Sequence, residues 1–179
     1  MSSSTIPTST SVVESAVIKA PLSHVWHFIK LQNFQNFWSA LKGSEAVKAQ
    51  EETDVVRWTF KDGTVLEVKQ EEHSASFFLG SFPATTHRTA GGDQETTGER
   101  CTINHYITYS VITSQPELSY TSVVSTIRCY PVTSGESENS TFVEWTGNFS
   151  SDADAGVIQD AKFKRREALA DLAKAAAKL

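Results

Sequence analysis

Apolar residues recur along the chain with two spacings, one typical of helices and one typical of strands. Residues 11–19, SVVESAVIK, have the composition of a β-strand. Pro21 follows, and proline is favoured at the first position of a helix. The next apolar residues recur at i, i+3, i+4 and i+7 and so share one helical face: Leu22, Val25, Trp26 and Ile29. We therefore predict a strand followed directly by a short helix.

The helical spacing is repeated once more after a short gap. Asn33 is a suitable N-cap for a second helix, and Gly43 is a suitable residue to end it. The apolar residues between them keep the same periodicity: Phe34, Phe37, Trp38 and Leu41. A second short helix is predicted here.

From Val56 the period changes to 2, and VVRWTFKDGTVLEV has the pattern of a β-hairpin. A two-residue loop at its turn would pair Trp58 with Glu67. A three-residue loop with a left-handed glycine pairs Trp58 with Leu66 and Arg57 with Glu67 instead. The second register keeps the apolar residues on one face, so it is the one predicted.

A second hairpin is predicted over residues 101–130, with its turn at residues 114–117. Centring the turn on Gln115 produces four notable pairs: Ile107 with Val123, His105 with Ser125, Tyr109 with Thr121, and Cys101 with Cys129. Cross-strand cysteines often have unfavourable disulfide geometry, so we expect two free thiols.

The last strand is predicted at Thr141–Phe149 and is followed by one long helix from about Ala153 to Lys178. Ser151 and Asp154 have the spacing of a capping box. One apolar stripe runs along the helix: Ile158, Ala161, Ala168, Leu169, Leu172, Ala176 and Leu179. Arg165 lies in the middle of that stripe.

The remaining segments are polar or irregular. Residues 1–10 are rich in Ser and Thr and are predicted to form a disordered tail. Residues 131–140 form a polar loop. Residues 74–100 are apolar at first and then rich in Gly and Thr, which indicates an insertion or a lid, because loops of this length are usually functional or disordered. Residues 11–179 are predicted to form a single domain.

Several of these segments together resemble START-like proteins, the helix-grip superfamily that includes the birch-pollen allergen. The opening VVESAVIKAPLSHVWHFIKLQNFQNFW is similar to that superfamily, and the hairpin VVRWTFKDGTVLEV is similar to its polyketide cyclase/dehydrase and lipid-transport branch. The segments YPVT and TFVEWTGNF before the long helix are similar to the same branch. The resemblance covers roughly residues 12–178.

The resemblance implies an α+β fold in which a curved antiparallel sheet of six or seven strands wraps around a long C-terminal helix. It also implies a hydrophobic cavity between sheet and helix. Members bind lipids, sterols, hormones or phenolic compounds, and a minority are enzymes. We therefore expect a carrier or sensor for a small hydrophobic molecule. A cyclase or dehydratase acting in the same cavity and an interaction protein with a filled core are the alternatives.

Ten residues are the candidates for contact with such a ligand: Trp38, Trp58, Leu66, Val68, His105, Ile107, Tyr109, Val123, Glu144 and Arg165. His105 on an apolar strand face has three interpretations, namely ligand contact, a core histidine bonded to Ser125, or a general acid or base. Buried Arg165 needs a partner, which is either Glu144 or a ligand carboxylate, unless its side chain reaches the helix edge. The inward placement of Glu144 follows from the resemblance alone.

Composition and charge exclude other classes. A net charge of −5 argues against binding to nucleic-acid phosphates, and no apolar run is long enough to span a membrane. Residues 161–179 carry six basic and two acidic side chains, so transient contact with a membrane surface is an alternative to an ordinary solvated helix. The N-terminal residues lack the pattern of a secretory signal, and we expect a cytoplasmic protein.

Neither a metal site nor a cofactor is expected. His24 and His27 have i, i+3 spacing, but they lie opposite the apolar helical face and no third ligand is evident. No P-loop, nucleophile elbow or dinucleotide-binding motif occurs, and no catalytic residue is assigned.

Overall fold

The strands form one antiparallel sheet in the computed structural model, which describes residues 9–47, 54–74 and 105–178. The sheet has seven strands: β1 (Ser11–Ile18), β2 (Leu41–Ala46), β3 (Val55–Phe60), β4 (Val65–Ser74), β5 (His105–Gln115), β6 (Val123–Pro131) and β7 (Thr141–Phe149). Their order across the sheet is β1-β7-β6-β5-β4-β3-β2. Helix α1 (Leu22–Phe28) and a short 3-10 helix (Leu31–Asn36) connect β1 to β2, and helix α2 (Ala155–Ala176) follows β7.

The second short helix differs from its prediction at both ends. Asn33 is not its N-cap but lies inside the 3-10 helix, and its side-chain amide donates a hydrogen bond to the carbonyl of His27 over 2.8 Å. Gly43 lies within β2, a strand that the pattern did not predict. Residues 41–46 have no regular alternation, and their pairing with β3 overrides their weak local preference. The apolar residues assigned to this helix are nevertheless buried: Phe34, Phe37, Trp38 and Leu41.

The first hairpin has the predicted register. Trp58 pairs with Leu66 and Arg57 pairs with Glu67, with an ion pair of 2.6 Å between the last two side chains. Gly63 has a φ of 92°, which is the left-handed conformation that the three-residue loop requires.

The predicted register of the second hairpin is wrong by four residues. Ile107 pairs with Ile127, His105 with Cys129, and Tyr109 with Ser125, because residues 116–122 form a longer connection than the predicted turn. An even shift leaves the same face apolar, so alternation alone does not distinguish the two registers. Cys101 lies outside the described residues. Cys129 is buried, and burial raises the pKa of its thiol to about 12.

Helix α2 begins two residues later than predicted, because Asp154 is itself the N-cap and accepts a hydrogen bond from the backbone N–H of Val157 over 2.8 Å. The predicted capping box starting at Ser151 is therefore wrong. The described members of the apolar stripe are all buried, and so is Arg165. One core cluster combines the second half of the stripe with the sheet and α1, and a smaller one surrounds the first half: Val12, Val123, Phe149, Ala153, Ile158 and Ala161.

Several predictions fall on residues that the structure does not describe. They concern residues 1–8 of the tail, Leu179, and nearly all of the segment 74–100, of which Ser74 ends β4. The single domain with an insertion therefore stays a prediction. Among the described helices, none combines the length and hydropathy that a membrane-spanning segment needs.

Candidate functional site

A cavity of about 560 Å³ lies between the sheet and the first half of α2. Its inner wall consists of buried residues from the sheet and the helix, and its rim consists of exposed residues such as Glu117 and Ser119 from the 116–122 connection and Asp160 from α2. Residues from both core clusters line it. The cavity is thus bordered by both clusters, and its rim lies between the β5–β6 connection and the helix.

The inner wall is mainly aromatic. The rings of Trp38 and Trp145 lie 5.7 Å apart between centroids, and those of Trp58 and Tyr109 lie 5.4 Å apart. Each pair meets edge to face, which aromatic rings prefer to a flat sandwich. Phe34 stacks on Trp58 at 4.9 Å and supports the wall from below. These contacts hold large flat surfaces in place against the cavity.

Two of the three indole N–H groups in this wall are bonded and one is not. Trp58 donates to the carbonyl of Leu31 over 2.9 Å, and Trp145 donates to the hydroxyl of Tyr109 over 3.1 Å. Nε1 of Trp38 is buried without any hydrogen-bond partner. Buried donors are nearly always paired, so this group needs an explanation.

Arg165 brings a positive charge to the cavity wall. Its side chain is held by bonds from Nη2 to Oγ of Ser125 (3.0 Å) and from Nη1 to the carbonyl of Ala161 (3.1 Å). Its guanidinium carbon lies 5.8 Å from the ring centre of Trp145 and 5.7 Å from that of Phe149. Nε has no partner, and within the described ranges no carboxylate forms an ion pair with Arg165. Burial lowers the pKa of Arg165, although arginine still keeps its charge near neutral pH.

Tyr109 completes the polar part of the wall. Burial raises the pKa of its hydroxyl, while the nearby charge of Arg165 and the hydrogen bonds with Ser125 and Trp145 act in the opposite direction. The hydroxyl therefore stays protonated at neutral pH. Trp145, Tyr109, Ser125 and Arg165 thus form one chain of polar contacts along the cavity wall.

Six of the ten predicted ligand-contact residues line this cavity: Trp38, Trp58, Leu66, Tyr109, Val123 and Arg165. Val68 and Ile107 do not line it, because both are fully buried in the core. His105 does not line it either; it is half-buried, and its ring meets the ring of Trp26 edge to face at 5.1 Å. The predicted bond from His105 to Ser125 is wrong, because His105 pairs with Cys129 in the observed register and Ser125 pairs with Tyr109.

The prediction that Glu144 faces inward is wrong. In β7 the buried residues Val143 and Trp145 face the core, so Glu144 between them faces the opposite side of the sheet. It cannot partner Arg165 from there.

Sequence reasoning did not single out Ser125 or Gly147 as parts of the site. A Cβ built on Gly147 would lie 2.8 Å from the guanidinium carbon of Arg165, so a glycine is required for the guanidinium to rest on β7. The signal was present in the sequence, because a glycine inside a strand often marks the close approach of another group.

The histidine pair on α1 has the predicted surface position, since His24 and His27 are both exposed. In the described part of the chain, no three His, Cys, Asp or Glu side chains are grouped closely enough to hold a metal ion.

The fold has many relatives among solved structures. An uncharacterised protein from Bacillus thuringiensis is 20% identical with a TM-score of 0.63, covering 93% of this chain and 98% of its own. A protein from Nitrosospira multiformis is 22% identical with a TM-score of 0.61, covering 92% of this chain and 94% of its own.

The di-domain ARO/CYC protein StfQ from the steffimycin biosynthetic pathway is 13% identical with a TM-score of 0.59. The match covers 92% of this chain and 44% of StfQ. No family model matches this chain, and no curated protein matches it. At these identities the comparisons describe the fold alone. The chain therefore has the α+β helix-grip fold that its sequence predicts, a curved seven-stranded antiparallel sheet with a long C-terminal helix.

Proposed function

We propose that this protein binds a small hydrophobic molecule in the cavity between the sheet and α2, as a carrier or sensor. The observation that carries the proposal is the cavity itself, about 560 Å³ in volume with an aromatic inner wall. Ligand sites in proteins typically have volumes of roughly 300–1,000 Å³ and are lined mainly by apolar and aromatic groups with a few polar ones.

The wall has the chemistry for such binding. Trp38, Trp58 and Trp145 present apolar surface, and burial of apolar ligand area against it would supply most of the affinity, at roughly 25 cal/mol per Å² before the costs of association. The polar chain from Tyr109 to Arg165 would orient the molecule. An interaction protein with a filled core is disfavoured by the same cavity.

An enzyme of the cyclase or dehydratase type is the alternative, supported by the similarity in fold to StfQ. The histidine expected to act as its acid or base, His105, does not line the cavity. Tyr109 does lie in the inner wall, but burial raises the pKa of its hydroxyl and keeps it protonated, so it does not act as a general base at neutral pH. These two observations favour binding over catalysis.

Native mass spectrometry of the purified protein followed by denaturing extraction tests for a bound molecule. An independent test is titration with the neutral fluorescent ester methyl 1-pyrenebutyrate, followed by quenching of tryptophan emission. We expect saturable binding to the wild type and at least tenfold weaker binding to Ala161→Phe, which fills the cavity from α2. Ala170→Phe, the same change at an exposed position of the helix, is the control. Binding that is equal in both variants would contradict the proposal.

A further inference from the structure

We propose that the ligand carries a carboxylate, and that Arg165 and Trp38 form the subsite that receives it. This inference rests on the proposed function and specifies the class of ligand: a molecule with one carboxylate and a flat apolar body. It goes beyond hydrophobic binding because it assigns a charge to the ligand and a position to that charge.

The first support is an electrostatic imbalance. Arg165 is only 8% exposed, and a buried charge is costly unless an opposite charge accompanies it. The two neighbouring cations on α2 have such partners: Arg166 bonds to Glu14 at 2.8 Å, and Lys164 bonds to Asp160 at 2.8 Å. Arg165 has a hydroxyl, a backbone carbonyl and two aromatic rings around it, all of them uncharged.

Nearby groups of the described chain compensate this charge only in part. The charge of Glu14 on β1 raises the pKa of Arg165, but its carboxylate forms its ion pair with Arg166 at 2.8 Å. Three acidic side chains line the cavity. Asp154 caps α2, Asp160 is paired with Lys164, and Glu117 is exposed at the rim. None of them is within ion-pair distance of Arg165. Tyr109 stays neutral because burial opposes its ionisation.

The second support is the position of the unpaired donors. In the described part of the chain, two buried side-chain polar atoms lack a hydrogen-bond partner, namely Nε1 of Trp38 and Nε of Arg165. Both side chains line the cavity, and both contact the indole ring of Trp145, at 5.7 Å for the ring of Trp38 and 5.8 Å for the guanidinium of Arg165. An acceptor entering the cavity beside Trp145 is the partner that we assign to both donors, since residues 9–47, 54–74 and 105–178 provide none.

The number and shape of the donors favour a carboxylate over a phosphate. Arg165 uses two of the five N–H donors of a guanidinium in its bonds to Ser125 and Ala161, which leaves donors for a planar two-oxygen group. One positive charge without an ion-pair partner among the described residues matches the single charge of a carboxylate. The second cation that lines the cavity, Lys164, is already neutralised by Asp160.

The test compares 1-pyrenebutyric acid with its methyl ester, which differ only in the charged group. We expect the wild type to bind the acid at least tenfold more tightly than the ester. Arg165→Met should bind both equally. Arg166→Met is the matched control, because the neighbouring arginine is 71% exposed in its side chain and should leave the preference for the acid unchanged. Trp38→Phe, which keeps a ring but removes the donor, should reduce the preference.

The outcomes separate the two proposals. Equal binding of acid and ester by the wild type, or a preference that survives in Arg165→Met, overturns the carboxylate subsite and leaves hydrophobic binding standing. Binding of neither compound overturns the proposed function, and the subsite with it. The comparison within the wild type does not depend on the folding of any variant.

Discussion

Arg165 and Gly147 are packed so closely that the guanidinium occupies the space where a side chain at residue 147 would begin. Gly147 lies in β7, where it pairs with Ser125 of β6, the residue that accepts the hydrogen bond from Arg165. The position of the charge in the cavity is therefore set by the absence of a side chain on the strand beneath it.

We predict that Gly147→Ala lowers the free energy of unfolding by only about 1 kcal/mol, because the group that must move is the end of the flexible Arg165 side chain, which gives up its bond to Ser125. Urea denaturation followed by tryptophan fluorescence measures the change. Gly43→Ala is the control, since a Cβ there would meet no atom within 4 Å. An equal effect of the two substitutions would contradict this account.

Arg165→Met is expected to leave the unliganded protein as stable as the wild type or to stabilise it, by up to about 3 kcal/mol. Burying the charge of Arg165 without a ligand lowers the free energy of unfolding of the unliganded protein. Replacing a buried charge by an apolar residue of similar size is often neutral or stabilising. Thermal unfolding of the ligand-free proteins measures this. A loss of more than about 1 kcal/mol would show that Arg165 serves the fold rather than the ligand.

Tyr109→Phe should destabilise the protein by about 1–3 kcal/mol, because the indole N–H of Trp145 loses its acceptor inside the core. Tyr130→Phe offers a comparison at an exposed position, where we expect a change below about 0.5 kcal/mol. Chemical denaturation measures the free energy of unfolding of the two variants. Similar losses of stability in both would mean that the Tyr109 hydroxyl contributes little.

Asp171 connects α2 to the segment before β2 by accepting hydrogen bonds from the backbone N–H and the hydroxyl of Ser39. Burial raises the pKa of Asp171, but the bonds from Ser39 and Lys174 outweigh it, so the folded pKa lies below the ordinary value of 3.8. Its stabilising contribution is thus present above pH 3.8 and is lost as the pH falls through the lower folded value.

Asp171→Asn should therefore cost about 1–2 kcal/mol at pH 7 and less at acidic pH. Unfolding curves at pH 7 and near pH 3 measure the difference. Asp160→Asn removes an exposed i, i+4 ion pair and should cost only about 0.3–0.5 kcal/mol. A cost at Asp171 that does not change with pH would argue against the ionised carboxylate as the stabilising group.

Much of this fold could be predicted from periodicity and turn chemistry. The first hairpin was determined by Gly63 together with the need to keep Trp58 and Leu66 on one face. The second hairpin was not, because registers that differ by an even number of residues bury the same side chains. Strand β2 was missed because its strand character comes from pairing with β3, which local sequence does not contain.

The site was predictable where a polar residue interrupts an apolar face. Arg165 was found in this way, and the same reasoning applied to Ser125 would have found its partner. Glu144 was misplaced because the resemblance was preferred to the alternation of β7, which places its side chain on the other face. The volume left between side chains depends on three-dimensional packing, so the exclusion of Val68 and Ile107 from the cavity needed the structure.

The order of strands has a consequence for how the chain is assembled. β1 and β2 are consecutive in the sequence yet lie at opposite edges of the sheet, and Ile18 of β1 finds its partner in Thr141 of β7. Contacts between such distant parts of a chain form slowly, because a large loop must close before they are made. Trp38 precedes β2 near the start of the sheet, whereas Arg165 lies in α2, which follows the last strand. The cavity wall is therefore incomplete until α2 has packed against the sheet, because Arg165 and its neighbours on that helix form one side of it.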